Sequence, residues 1–150
     1  MRTARPVKFR LYPENRSLFC PVHVWPDKAA MLAYFRRDRG KRFAEAHADA
    51  AAVASGREVY RVLPGKPMRK TGEFCEINCH RGELTEEIVS HEVAHAALRW
   101  RSRVGLAVGR DDDFGGHEDV SDAEERFCYA LGRMVKQFTS NLRKHHVWAS

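Results

Sequence analysis

Apolar and polar positions change period along this chain, and the changes mark out its elements. Val7 to Tyr12 largely alternates apolar and basic residues, the period of a strand, and Pro13-Glu14-Asn15 turns the chain after it. Leu18 to Trp25 is a second extended segment. Pro26-Asp27 then opens a helix over Lys28–Arg37, where Ala29, Leu32, Ala33 and Phe35 recur at mostly helical spacing. The Ala-rich stretch from Phe43 to Ala54 reads as a second helix or a long loop, closed by Gly56. Glu58 to Leu63 holds the strand formers Val59, Tyr60 and Val62, and Pro64-Gly65-Lys66-Pro67 breaks it. Phe74 to His80 is a further strand. Alternation sets its Cys75, Ile77 and Cys79 on one face, which suits small core side chains better than a second metal site.

A long helical pattern follows. Gly82 to Glu87 is a helix start, with Thr85 as the N-cap and acidic residues favoured by the helix dipole. Ile88, Val89, Val93, Ala94, Ala96, Ala97 and Leu98 then surround two histidines on most sides, the pattern of a buried helix. Gly105 to Gly116 is a loop containing Asp111-Asp112-Asp113, and a last helix runs from about Asp122 to Arg143. Strands and helices in this order predict an α+β fold, one compact domain over residues 1–150 with a small sheet packed on its helices.

Composition narrows the setting. No apolar run is long enough to span a bilayer, and nothing after Met1 reads as a signal peptide. Four cysteines at 20, 75, 79 and 128 do not form a secreted disulfide framework, so a reducing cytoplasm is expected. The net charge of +6 is uneven: residues 1–70 carry 16 Lys and Arg against 6 Asp and Glu, and residues 71–150 carry 10 against 14. The basic half contains the run Arg36-Arg37-Asp38-Arg39-Gly40-Lys41-Arg42. Such a run holds nucleic acid or an acidic partner, or it is a solvated helix end facing the C-terminal dipole. The second reading is favoured, because no aromatic residue interleaves the run as a stacking platform.

The chemistry is concentrated in His91-Glu92-Val93-Ala94-His95. Residues i and i+4 share a helical face, so His91 and His95 can hold one metal through two imidazoles. Glu92, one position along, is placed to take a proton from a water without being a ligand itself. A catalytic zinc needs a third protein ligand. The extended pattern HExxHxxGxxH is absent, since Leu98 and Arg101 stand where Gly and the third His would be. His117, Glu124 and Glu125 remain. Ser121-Asp122-Ala123-Glu124 has the form of a capping box, which gives Glu124 a structural task and leaves Glu125 as the expected ligand. Glu125 also shares a face with the small residues Cys128 and Gly132, which favour close helix approach. Against this, Glu124 aligns better with the bulky stripe Phe127, Leu131, Met134, Val135 and Phe138. Tyr60, Tyr129 and His117 are open as oxyanion stabilisers.

With His91 to Leu98 followed by Glu125 to Gly132, the chain resembles the small zincin-like metallopeptidases of the ImmA/IrrE type and short phage-encoded HExxH proteins. In that family a Glu opens a later helix reading roughly E-x-x-A-[ND]-x-F-A. Here Cys128, Tyr129, Leu131 and Gly132 depart from the pattern. The resemblance covers residues 74–135 and implies a zinc-dependent, gluzincin-like peptidase acting on a protein or peptide, with no membrane partner. It also implies that Phe74–His80 is an edge strand that pairs with extended substrate, a mode of recognition that relies on unpaired backbone groups. The alternative is a non-catalytic zincin-like protein whose basic half binds nucleic acid or an acidic partner. An intact Glu92 favours the enzyme, because a structural metal has no use for a general base.

Overall fold

The computed structural model describes residues 5–106 and 122–148. It is a mixed α+β domain in which one four-stranded sheet carries helices on both faces. The sheet contains β1 (Val7–Leu11), β2 (Cys20–Trp25), β3 (Ala52–Gly56) and β6 (Cys75–His80) in the order β1-β2-β6-β3. β1 runs antiparallel to β2, β2 parallel to β6, and β3 antiparallel to β6. A short hairpin of β4 (Tyr60–Arg61) and β5 (Arg69–Lys70) stands apart from this sheet. No described helix is long and apolar enough to cross a membrane.

Alternation divides the sheet into two faces. Cys20, Val22, Val24, Cys75, Ile77 and Cys79 enter the main core against α3 (Glu86–Val104) and α4 (Asp122–Lys144). All three strand cysteines are buried there, as the spacing of Cys75 and Cys79 predicts. On the other face Trp25 and Val53 pack against Met31 and Phe35 of α1 (Lys28–Asp38) and Ala44 of α2 (Lys41–Ala46). Covered on both sides, β6 is buried along its whole length.

Local chemistry fixes the helix ends. Asp27 Oδ1 accepts the Ala30 N–H at 2.8 Å to start α1, and Thr85 Oγ1 accepts the Ile88 N–H at 3.2 Å to start α3. Gly105, at φ 69°, closes α3 in the left-handed conformation that glycine adopts without penalty. α4 runs back along α3: Arg126 lies over Trp100 near the end of α3, and Trp148 Nε1 donates to the Leu84 carbonyl just before its start.

Two sequence expectations need correcting. The Ala-rich stretch is neither one helix nor a loop: α2 covers only Lys41–Ala46, and Ala52–Gly56 is a strand. Alanine favours helices locally, but pairing with β6 overrides that preference, and the small side chains of Ala52 and Ala54 pack partly buried into the main core. Phe74–His80 is not an edge strand, because β2 and β3 flank it. The sheet edge on that side is β3.

Gly72, between β5 and β6, lies against the loop before β2. The Phe19 N–H donates to its carbonyl at 2.9 Å, and a Cβ on Gly72 would overlap the Ser17 carbonyl oxygen. Gly72→Ala should therefore cost about 1–3 kcal/mol through overpacking. A thermal melt should show this as a fall of several degrees, and an unchanged melting temperature would mean that the loop yields freely.

Candidate metal site

Helix α3 presents two different faces at the HExxH stretch. Val89, Glu92, Val93, Ala96, Ala97 and Trp100 are buried, whereas His91 and His95 are exposed. The expected burial of the helix therefore holds for one side only, and the histidines project away from it. Their Nε2 atoms lie 3.1 Å apart with the ring planes at 76°. Two ligands at ordinary zinc–nitrogen distances around a tetrahedral ion would sit about 3.3 Å apart. The spacing of the two imidazole nitrogens is thus close to that of two ligands on one metal ion.

Glu92 occupies the flank between the two faces. It is 7% exposed, and its Oε1 lies 4.0 Å from His91 Nε2. Its charge is felt across the packed surface by Cys79. Burial, reinforced by the Glu92 carboxylate, pushes the Cys79 thiol up to about 12. Cys79 is therefore a protonated core side chain near neutral pH, not a thiolate ligand.

Glu124 and Glu125, the candidates among the described residues, do not join this pair. Among the described residues, no three His, Cys, Asp or Glu side chains form a group that could hold a metal. Glu124 and Glu125 lie exposed in the first turn of α4, and His117 and Ser121 fall outside the described residues. The packing argument for Glu125 is corrected. Cys128 is exposed, and a Cβ at Gly132 would meet nothing within 4 Å, so among the described residues that face approaches no other helix. The buried stripe of α4 is Ala130, Met134, Phe138 and Leu142. By helical spacing Glu124 flanks this stripe and Glu125 points away from it. Tyr129 is 75% exposed, and Tyr60 donates to Glu58 at 3.0 Å within the hairpin region.

A second polar centre, not anticipated from the sequence, lies on the opposite face of the sheet. Glu76, 2% exposed, accepts from the Tyr34 hydroxyl at 2.8 Å, Arg57 Nη1 at 3.0 Å, Asn78 Nδ2 at 3.1 Å and Arg39 Nη2 at 3.4 Å. Asn78 Oδ1 in turn accepts from Trp25 Nε1 at 2.9 Å and from His23 Nδ1 at 3.3 Å. Burial, then the bond to Glu76, holds the Tyr34 phenol well above its usual range. Burial also lowers the His23 pKa, outweighing the opposing pull of Glu76. His23 is therefore neutral near pH 7, and its 3.7 Å approach to Glu76 is not an ion pair. No periodicity signalled this centre: the series Glu76-x-Asn78-x-His80 interleaved with core residues is the pattern of a strand with one solvated face, yet β6 is buried along its whole length because α1 and the Arg39 and Arg57 side chains cover that face.

Comparison with protein-family models, with curated proteins and with solved structures gives no match to this chain.

Proposed function

We propose that this protein is a zinc-dependent metallopeptidase in which His91 and His95 are metal ligands and Glu92 is the general base. The observation that carries this reading is the pair of imidazole Nε2 atoms 3.1 Å apart beside a buried carboxylate. Zinc held by the pair would lower the pKa of a water to about 7 and polarise a carbonyl oxygen. Glu92 accepts the proton of the attacking water and returns it to the leaving amine. Its burial on the flank of α3 holds the carboxylate beside His91 while leaving the imidazoles open to substrate. The outer edge of β3 pairs with no strand among the described residues, so its backbone groups suit an extended peptide.

The third donor comes from the residues that follow α3, with Glu125, Glu124 and His117 as the choices. Purified protein should carry about one zinc per chain, and a His91→Ala, His95→Ala double variant should carry almost none. Elemental analysis of the two proteins decides the matter, and full occupancy in the double variant would overturn the site. The same assay on single alanine variants of Glu124, Glu125 and His117 identifies the third ligand as the one whose loss releases zinc.

A further inference from the structure

The basic half of the chain folds into a groove on the side of the sheet opposite the main core. Two neighbouring cavities of about 840 and 760 Å³ lie over the outer face of β1 and β2 and share Lys8 and His23. The first is walled by the β4–β5 hairpin and lined by Lys8, Arg10, Arg61 and Arg69. The second is walled by α1 and adds Arg5 and Arg37. None of these six cations lies within ion-pair distance of a carboxylate among the described residues. The acids lining the cavities are already engaged: Glu73 pairs with Arg57 at 3.3 Å, and Asp27 caps α1.

The basic run noted in the sequence contributes little to this surface. Arg39 is turned inward onto Asp38 and Glu76, Lys41 pairs with Glu45, and only Arg37 reaches the groove. The aromatic residues that the run lacks are present here, supplied by other elements. Phe19 and His23 line the first cavity, and His23 and Tyr34 line the second, with Tyr34 stacked on Trp25, which is itself buried in the core beneath. Arg10 lies over the Phe19 ring at 4.2 Å, and Arg37 over Tyr34 at 5.9 Å. Lys8 and Arg10, two residues apart on one strand, project from the same face about 6.8 Å apart.

We propose that this groove binds single-stranded nucleic acid, its cations tracking the phosphates and the guanidinium planes of Arg10 and Arg37, backed by the Phe19 and Tyr34 rings, receiving bases. Unpaired cations alone would serve any polyanion. The ring-backed guanidinium planes of Arg10 and Arg37 favour a ligand that offers flat faces as well as charge, which an acidic peptide does not. The site is separate from the histidine pair and does not depend on the peptidase reading.

The test is fluorescence anisotropy with a labelled 20-nucleotide single-stranded DNA across a salt series. Wild-type protein should bind saturably. The triple variant Arg10→Glu, Arg61→Glu, Arg69→Glu should weaken binding by about tenfold or more and flatten the log Kd–log salt slope by roughly 2, as expected for three lost phosphate contacts. An Arg36→Glu, Arg42→Glu control, carrying charge reversals outside the groove, should bind within about threefold of wild type. Glu92→Gln should bind like wild type, so failure of the peptidase reading leaves this one standing. All the reversed side chains are exposed, and matching thermal melts would confirm that the fold is retained. The proposal is overturned by absence of saturable binding, by equal losses in the control and the triple variant, by tighter binding of the matching duplex, or by poly-glutamate of equal charge competing as well as DNA.

Discussion

The Glu92→Gln protein should retain zinc and melt like the wild type, yet cleave its substrate about 10²–10⁴-fold more slowly. The substitution is nearly isosteric and leaves both imidazoles in place, so ligand geometry is untouched. It removes a carboxylate that the fold holds buried beside the His91–His95 pair, at 4.0 Å from His91 Nε2. An amide cannot accept the water's proton, so the loss should fall on kcat with little change in KM. Burial is the main cause of the raised Cys79 thiol pKa and the Glu92 charge only reinforces it, so removing that charge should move the Cys79 pKa down slightly while leaving the thiol protonated near pH 7. Substrate is best found by pull-down with the Glu92→Gln variant, since a slow enzyme with an intact site retains what it cannot cut. If wild type and variant are indistinguishable in cleavage of every protein so captured, the general-base role is wrong, and the metal site would serve stability or binding.

What the sequence disclosed was local. The caps at Asp27 and Thr85, the strand expected from Val7 to Tyr12 and observed over Val7–Leu11, and the long last helix all depend on residues within a turn or two, and the structure has each of them. The convergence of His91 and His95 was legible for the same reason, since helical geometry alone brings i and i+4 together. What it concealed was set by distant pairing. Nothing around Ala52–Gly56 announces a strand, because the partner that makes it one is β6, whose paired residues run from Cys75 opposite Gly56 to Cys79 opposite Ala52. The position of β6 inside the sheet depends on β2 and β3 lying on either side, which no periodicity within β6 encodes. The exposure of Cys128 was equally hidden: small residues are compatible with a tight helix contact but do not require one. At the candidate site, sequence supplied the chemistry of the ligand pair and structure supplied the orientation, with Glu92 inward and the histidines outward.

Glu76→Ala should destabilise the protein by about 3–5 kcal/mol, the usual cost of removing one partner from a buried charged cluster. Glu76 sits 3% exposed at its side chain in the middle of the sheet, and four donors from α1, the α1 C-cap, the segment after β3, and β6 converge on its two oxygens. Truncation leaves Arg57 and Arg39, at 29% and 22% side-chain exposure, with part of their compensation gone, while Asn78 and the Tyr34 hydroxyl lose an acceptor in a dry setting. Arg57 retains Asp38 and Glu73 within 3.5 Å, which keeps the expected cost toward the lower end of the range. For a chain of this size that corresponds to a melting temperature roughly 10 °C lower. Glu76→Gln separates the two contributions: it retains one acceptor and the shape but discards the charge, so it should lose less than the alanine variant. The exposed His91 and His95 lie across the main core from this cluster, so zinc retention below the new melting point should be unchanged in both variants. Equal stability of Glu76→Ala and wild type in a thermal melt would mean that the two arginines find water as readily as they find the carboxylate.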